Sequence, residues 1–308
     1  MSSDDHTAVE EVRAALETAA RWGRYAESGT PKDVKRLAGQ GKFREAFDLV
    51  EGAAEARPRE DFFWLSMKEV AAHLGLEERA AYYQGRYDGA SQEQSVYLDR
   101  LFERIEAVVR STCTVEEGMF RVIDFCSEAR PHGDWRRFRE QLNFDDDLRR
   151  LTDWLRTVFS NQPPPEEIDG LWFGLFEPVE DGEPTRDMDV AGGTGARNDP
   201  DRWAERLTWT PKAAHARSQV LHGIYQIAYD GLESDGWVEG LGNEAEHPLC
   251  LTYAGLAVRW LASTSLSELL LGRATERVIE VGFNDGDLLH LGTLTPEGWL
   301  FPEGGMVS

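Results

Sequence analysis

The sequence predicts an α+β protein: an all-α N-terminal domain built of αα-hairpins, followed by a smaller α+β domain with antiparallel hairpins and a meander. Apolar residues keep helical spacing up to about residue 160. Gly, Trp and alternating apolar runs then become frequent. Between the two regions, NQPPPEEIDG (161–170) holds three consecutive prolines, which cannot continue a helix. The predicted domains are therefore 1–160 and 166–308.

Helical repeats are indicated in the first domain. The stretch 41–58 carries a turn glycine, an aromatic residue, two small packing residues and a closing proline, namely Gly41, Phe43, Ala46, Ala53 and Pro58. A shift of 34 residues places Gly41 on Gly75 and Ala46 on Ala80, whereas Phe43 falls on Glu77. Region 30–90 resembles the tetratricopeptide-type repeats, which implies stacked antiparallel helices. A generic pair of αα-hairpins is the alternative and gives the same architecture.

Two helices are expected in the C-terminal domain. TPKAAHARSQVLHGIYQIAYDG (210–231) begins with Thr210 as N-cap and Pro211 at the first helical position, and Gly231 follows its end. PLCLTYAGLAVRWLAS (248–263) is apolar almost all round, which is typical of a helix at the centre of a core.

The same domain carries hairpin signals. LWFGLFEPVEDGEPTRDMDVAGG (171–193) has two apolar runs around a polar loop, which predicts a hairpin. RVIEVGF and LLHLGTL flank the turn dipeptide Asp285-Gly286, and the turn at 295–299 completes a three-stranded meander. A calcium loop that started at Asp285 would place its closing Glu at position 296, which is Pro296. We therefore interpret NDGD as a turn and predict no metal site.

Charge limits the classes of partner. The net charge is −23, and residues 161–308 hold 25 acidic against 9 basic side chains, a net of −16. Such a field disfavours binding to nucleic acid and to anionic membranes, and it favours a basic protein partner. No run approaches 18 apolar residues, the acidic start is unlike a secretory signal, and the three cysteines lack CxxC spacing. These features predict a cytoplasmic protein.

No motif predicts catalysis or a cofactor. Asp187-x-Asp189 resembles the metal-binding DxD of nucleotide-sugar transferases, but the apolar strand that should precede it is missing. Solvent-facing alternation on an edge strand is the preferred interpretation. His215 and His222 lie seven apart on the predicted helix, about 10 Å along its axis, too far apart to share a metal. We predict no catalytic residue and no cofactor.

A second resemblance spans residues 170–292. The order LWFGLFEP, DMDVAG, DRWAERLTWTP, IYQIAY, PLCLTYAGLAVR and VGFNDGDLLHLG is similar to a group of uncharacterised bacterial proteins. Those proteins are often encoded near secreted polymorphic toxins, and the resemblance implies an immunity-like binding role. It carries no functional residues over to this chain.

The function predicted from these patterns is protein–protein interaction, with inhibition of a basic protein or toxin as its possible purpose. Acidic side chains would speed association and aromatic side chains would anchor the partner. The candidate partner-binding residues are Trp172, Asp187, Asp189, Trp203, Trp209, Trp237, Asp285 and Asp287. Burial of the tryptophans in a core is the ordinary alternative. The rival function is an enzyme whose carboxylate-rich site is assembled in the C-terminal domain.

Overall fold

The fold confirms the predicted α+β class with a helical N-terminal part. The computed structural model describes residues 3–22, 30–53, 61–180, 183–197, 203–230, 241–264, 266–284 and 288–301. The chain divides into two compact units, 1–100 and 101–308. Each unit has its own core and is described by itself.

The first unit is helical. Its helices are α1 Ser3–Trp22, α2 Thr30–Gly39, α3 Phe43–Ala53, α4 Asp61–His73 and α5 Glu77–Arg110, whose last residues belong to the second unit. Gly41 precedes α3 with φ of 73°, and Gly75 precedes α5 with φ of 68°, backbone angles that favour glycine. Helices α3 and α5 thus begin after equivalent turns at the 34-residue spacing found in the sequence. Membership of the tetratricopeptide family stays a prediction.

The helices of the second unit surround one buried helix. They are α6 Val115–Ala129, α7 Trp135–Gln141, α8 Phe144–Asn161, α9 Gln219–Ala228, α10 Asn243–Ser263 and α11 Ser267–Leu271. Helix α10 is buried on nearly every side between Ala245 and Val258, as its apolar sequence predicted. Helix α6 packs closely against it, because a Cβ added at Gly118 would lie 2.6 Å from the Leu256 side chain.

The proline-rich segment 161–170, where the sequence suggested a domain boundary, lies inside the second unit. Helices α6 and α8, which precede the prolines, pack against α10, which follows them. A helix that is apolar all round must be covered on all sides, and the sheet covers only one of them. The prolines therefore follow the end of helix α8 within the unit. Three consecutive prolines end a helix equally well inside a domain and between two domains.

A seven-stranded mixed sheet completes the second unit, with a two-stranded ribbon beside it. The strands are β1 Gly170–Phe176, β2 Val179–Glu180, β3 Glu183–Pro184, β4 Asp187–Gly193, β5 Leu207–Trp209, β6 His215–Arg217, β7 Arg277–Phe283, β8 Leu288–Thr295 and β9 Gly298–Leu300. The order is β5-β4-β1-β7-β8-β9, β6 pairs with β4, and β2 pairs with β3. The β1–β4 hairpin and the β7–β8–β9 meander confirm the predictions. The parallel contact between β1 and β7 was not predicted.

The predicted helix over 210–231 is wrong in its first half. Residues His215–Arg217 form β6, and the helix begins only at Gln219 with Ser218 as its N-cap. The Ser218 hydroxyl accepts a hydrogen bond from the Leu221 N–H at 3.0 Å, which provides the cap assigned to Thr210. Pairing of β6 with β4 outweighs the local helical signal.

The two faces of the sheet differ in character. The inner face packs on α10, because a Cβ added at Gly255 of that helix would lie 2.9 Å from the side chain of Leu289. Leu289 is in register with Val281, which is in register with Phe173, so these side chains share that face. The alternate residues, including Trp172, Gly174 and Glu280, belong to the opposite face, which we call the outer face.

Candidate functional site

Polar atoms from β1, from β4 and from the residue that follows β7 converge above Gly174 on the outer face. A Cβ added at Gly174 would meet Asp189 Oδ1 at 2.3 Å, Asn284 Oδ1 at 2.5 Å and Trp172 Nε1 at 2.7 Å. Glu280 lies on the same face, since it is in register with Trp172 as Gly282 is with Gly174. We call Trp172, Gly174, Asp189, Glu280 and Asn284 the cradle. The side-chain oxygens of Asp189, Glu280 and Asn284 are hydrogen-bond acceptors, and those of Asp189 and Glu280 belong to carboxylates.

Register explains why these side chains meet. Asp189 of β4 is the antiparallel partner of Gly174 on β1, and the Gly174 N–H donates a hydrogen bond to Asp189 Oδ1 at 3.1 Å. Asn284 follows the last residue of β7, and its N–H donates to the Leu175 carbonyl at 3.1 Å, extending the parallel pairing. Only a glycine leaves room for three polar atoms so close to the backbone.

Burial removes water from both carboxylates of the cradle. It raises the pKa of Asp189, while the facing His215 and the hydrogen bond from Gly174 act in the opposite direction. Glu280 is 1% exposed, and its Oε1 is hydrogen-bonded to His290 Nδ1 at 3.1 Å. The other oxygen, Glu280 Oε2, is buried and has no hydrogen-bond partner among the described residues. A buried carboxylate oxygen without a partner is costly, and such atoms suggest a functional role.

A histidine lies beside each carboxylate of the cradle. His215 on β6 is the register partner of Asp189, and its ring packs on Phe176 with centroids 5.0 Å apart. His290 on β8 is the register partner of Glu280. The outer face thus carries two cross-strand carboxylate–histidine pairs on either side of the β1–β7 contact. Such pairs can exchange protons or orient a charged ligand.

Three of the four sequence-predicted tryptophans lie in the core. Trp203 is fully buried, Trp172 is 7% exposed and Trp209 is 8% exposed. Trp172 and Trp203 pack with Ala196 and Val278, where they cover the apolar end of the outer face. Three other predicted residues lie outside the described part of the chain, namely Trp237, Asp285 and Asp287.

Asp187 and Asp189 do not lie on a solvent-facing edge strand as predicted. Strand β4 is flanked by β1 on one side and by β5 and β6 on the other. Asp187 is 5% exposed, and Asp189 is half-buried. Of the two predicted aspartates that the structure describes, only Asp189 belongs to the cradle. The alternation that suggested an edge strand instead divides β4 between the two faces of the sheet.

Sequence reasoning missed Glu280, Asn284, Gly174 and His290. Two signals were available. Glu280 is the only charged residue between Val278 and Phe283 in an apolar strand, and a charge in such a run must find a partner or serve a function. Gly174 interrupts the apolar run LWFGLF, and an interior strand glycine commonly marks a close approach of other groups.

A second buried polar cluster surrounds Arg186. Its guanidinium pairs with Glu246 and with Glu177, and it lies over the Phe283 ring at 5.5 Å. Burial acts to lower the pKa of Arg186, but the hydrogen bond and charge of Glu246 outweigh it and raise the pKa. The Tyr229 hydroxyl donates to Glu246 Oε2 at 2.8 Å. These mutual contacts satisfy the charged groups and indicate a stabilising role.

The described part of the chain contains neither a cluster of metal-ligating side chains nor a helix that could span a membrane. No three His, Cys, Asp or Glu side chains are grouped there so that they could hold a metal ion. The strands that flank NDGD form the predicted antiparallel pair, but residues 285–287 lie outside that part. None of the described helices combines the length and apolar character needed to cross a bilayer.

Known proteins offer no assignment for this site. The chain matches no family model, no curated protein and no solved structure.

Proposed function

We propose that this protein binds a basic protein partner in the cytoplasm through the outer face of its sheet, as an inhibitor of the immunity type. The observation that carries the proposal is the convergence of Asp189 Oδ1 and Asn284 Oδ1 above Gly174. The same face also holds Glu280, whose Oε2 is buried and unpartnered among the described residues. Positive side chains of a partner would pair with the acceptor oxygens at the exposed Asn284 end of the cradle.

The charge of the chain supports the same choice of partner. Residues 161–308 carry 25 acidic and 9 basic side chains, and they contain every member of the cradle. A negative field around a binding face attracts a positively charged protein over a distance of about one Debye length, roughly 8–10 Å in ordinary buffers. It speeds association more than it slows dissociation.

An enzyme is the second candidate, and one observation favours it. Glu280 and His290 form a hydrogen-bonded carboxylate–imidazole pair next to the cradle. A carboxylate can orient an imidazole that acts as a general base. Turnover by this pair would require a substrate that reaches His290, which is partly exposed.

Kinetics with the captured partner tests the binding proposal. Tagged protein is used to recover the partner from its native lysate, and the purified pair is studied by biolayer interferometry. We expect kon to fall roughly tenfold or more when salt rises from about 0.05 to 0.5 M, because ions screen the attraction. We expect koff to change much less. Neutralising Asp187, Asp189, Asp285 and Asp287 together should reproduce part of the salt effect.

Asp153→Asn is the control, because the Asp153 side chain is 81% exposed and lies on helix α8 and not on a strand of the sheet. Its removal changes the net charge by the same amount per residue and should leave kon nearly unchanged. An acidic partner, or an association rate that ignores salt, would contradict the proposal. Catalytic turnover of a small molecule that is abolished by His290→Ala would favour the enzyme instead.

A further inference from the structure

We propose that a groove beside the end of helix α8 is a binding site for a small organic carboxylate, with Lys212 as the side chain that pairs with its charge. The groove has a volume of about 400 Å³ and lies between the last turn of α8 and the turn 211–214. That volume falls in the range of small-molecule sites, roughly 300–1,000 Å³. None of the described residues that line the groove belongs to the cradle, so this site does not depend on the proposed partner interface.

The lining of the groove differs in charge from the region around it. None of the described residues that line it is acidic, whereas residues 161–308 carry 25 acidic and 9 basic side chains. Val158 and Pro211 contribute apolar surface and are themselves buried. Apolar walls with a few polar groups are the usual composition of a small-molecule site. A ligand with an apolar body and one polar end suits this lining.

Lys212 determines the sign of the ligand's charge. It is the only lysine between residues 101 and 308, and it is the only cation among the described residues that line the groove. Its ammonium forms no ion pair with a described residue, whereas Arg149 pairs with Asp146 at 2.7 Å. The C-terminal end of α8 carries about half a negative charge, which the full charge of Lys212 exceeds. The groove therefore favours an anion.

The hydrogen-bonding groups of the groove favour a carboxylate among the anions. An ammonium group has three donors, and a carboxamide NH₂ has two. Gln162 Oε1 already accepts a hydrogen bond from the Lys212 backbone N–H at 2.7 Å, so the NH₂ of that side chain remains for a ligand. Asn161 carries a second carboxamide and is exposed. One cation and two amides match a singly charged acceptor, whereas a phosphate dianion would leave a negative charge uncompensated.

Two hydrogen bonds fix the walls of the groove to one another. One runs from the Lys212 N–H to Gln162 Oε1, and the other runs from the Trp154 indole N–H to the Ala213 carbonyl at 3.0 Å. Both bonds join α8 to the turn 211–214. A groove that is formed before binding loses little conformational entropy when a ligand enters.

N-acetyl-leucine is the carboxylate probe for the full-length chain, and N-acetyl-leucinamide is the matched neutral probe. Each is titrated while the Trp154 indole N–H resonance, assigned with Trp154→Phe, is followed by NMR. We expect a saturable shift with the carboxylate probe at millimolar concentration, with an affinity roughly fivefold or more above that of the amide probe. Equal affinity for the two probes, or no saturable shift up to roughly 50 mM, would overturn the proposal.

Lys212→Gln should weaken binding of the carboxylate probe roughly fivefold or more, to the affinity of the amide probe. Arg273→Gln removes the same charge at an exposed position outside the lining of the groove, and it should have no effect. Acetylation of amines, followed by peptide mass spectrometry, tests the same contact in the unmodified sequence. Saturating carboxylate probe should slow acetylation of Lys212 and leave that of Lys42 unchanged. Unchanged affinity of Lys212→Gln, or acetylation of Lys212 that ignores the probe, would contradict the assignment.

Discussion

The hydroxyl of Tyr253 donates a 2.7 Å hydrogen bond to Oδ2 of Asp147, a residue far away in the chain and equally buried. Asp147 also accepts from the Ser218 hydroxyl at 2.5 Å and from the Gln219 N–H at 2.8 Å. One carboxylate on α8 thus joins the start of α9 to the middle of α10. Burial and the nearby Asp147 charge raise the pKa of Tyr253, which therefore stays a hydrogen-bond donor.

Asp147→Asn should lower the free energy of unfolding by about 3 kcal/mol, because an amide nitrogen would face a donor and a buried charge-assisted network would be broken. Urea unfolding followed by tryptophan fluorescence measures the change. Asp145→Asn, at an exposed position in the same helical turn, is the control and should change stability little. Equal stability of the two variants would show that the network is energetically neutral.

Arg277→Lys should destabilise the second unit by about 2–4 kcal/mol. The guanidinium is fully buried and donates to the carbonyls of Leu271 at 3.1 Å, Pro165 at 3.2 Å and Ile168. Burial lowers the pKa of Arg277 to about 10, with the charge of Asp169 opposing the shift, so the group is still charged at pH 7.

A lysine cannot reach three divergent carbonyls with one ammonium group, which is the reason for the expected loss. Thermal unfolding monitored by circular dichroism measures the effect of Arg277→Lys. Arg273→Lys, at an exposed position four residues earlier, is the matched control. A loss of stability as large in the control would mean that the carbonyl contacts are not the cause.

Gly174→Ala should destabilise the second unit by about 1–3 kcal/mol, because the added methyl overlaps the polar atoms above it and forces them apart. Gly133→Ala is the control, since nothing lies within 4 Å of a Cβ at that position. Differential scanning calorimetry should show a lower melting temperature for the first variant only. If both variants melt like the original protein, the cradle is looser than the structure shows.

The pH dependence of the free energy of unfolding should show the raised pKa of Asp189. Its pKa is raised in the folded state by burial, so between the unfolded and the folded pKa the folded state holds more protons. Stability from this group is therefore highest at low pH and falls as pH rises through that interval. Asp189→Asn should raise the urea midpoint at pH 7 relative to the original protein, and the gain should disappear below the unfolded pKa.

Gly133→Ala, which leaves every carboxylate in place, should show the original pH profile. A midpoint for Asp189→Asn that is lower than the original at pH 7 would contradict the assignment. A gain of stability on neutralising Asp189 is the behaviour expected of residues kept for binding and not for folding.

Features with local signals were predicted from sequence, and features that depend on distant pairing were not. Helix α10 follows from its uninterrupted apolar residues, and the β7–β8 pair follows from two strand-like runs around Asp285-Gly286. The parallel pairing of β1 with β7 leaves no local pattern, because parallel strands are joined through other elements. For the same reason the helical signal at Pro211 was misleading where β6 pairs with β4.

In the cradle too, the residue with a local sequence signal was predicted, and the residues that depend on strand pairing were not. Asp189 was named because two aspartates alternate in a short segment. Glu280 and Asn284 were not, since their nearness to Asp189 exists only through the register of three strands. Knowledge of that register would have been sufficient to find the site.

The parallel contact of β1 with β7 also determines when the second unit can be completed during synthesis. The β1–β4 hairpin leaves the ribosome long before strand β7, Arg277–Phe283, is made. Until then the backbone groups on one edge of β1 remain unpaired. Open strand edges promote association between chains, and late non-local pairing prolongs that exposure. The surplus of acidic residues beyond position 160 repels other copies during this interval. That repulsion does not pair the open edge of β1, so a translation product that stops before β7 should be degraded or aggregate and should not persist as a folded fragment.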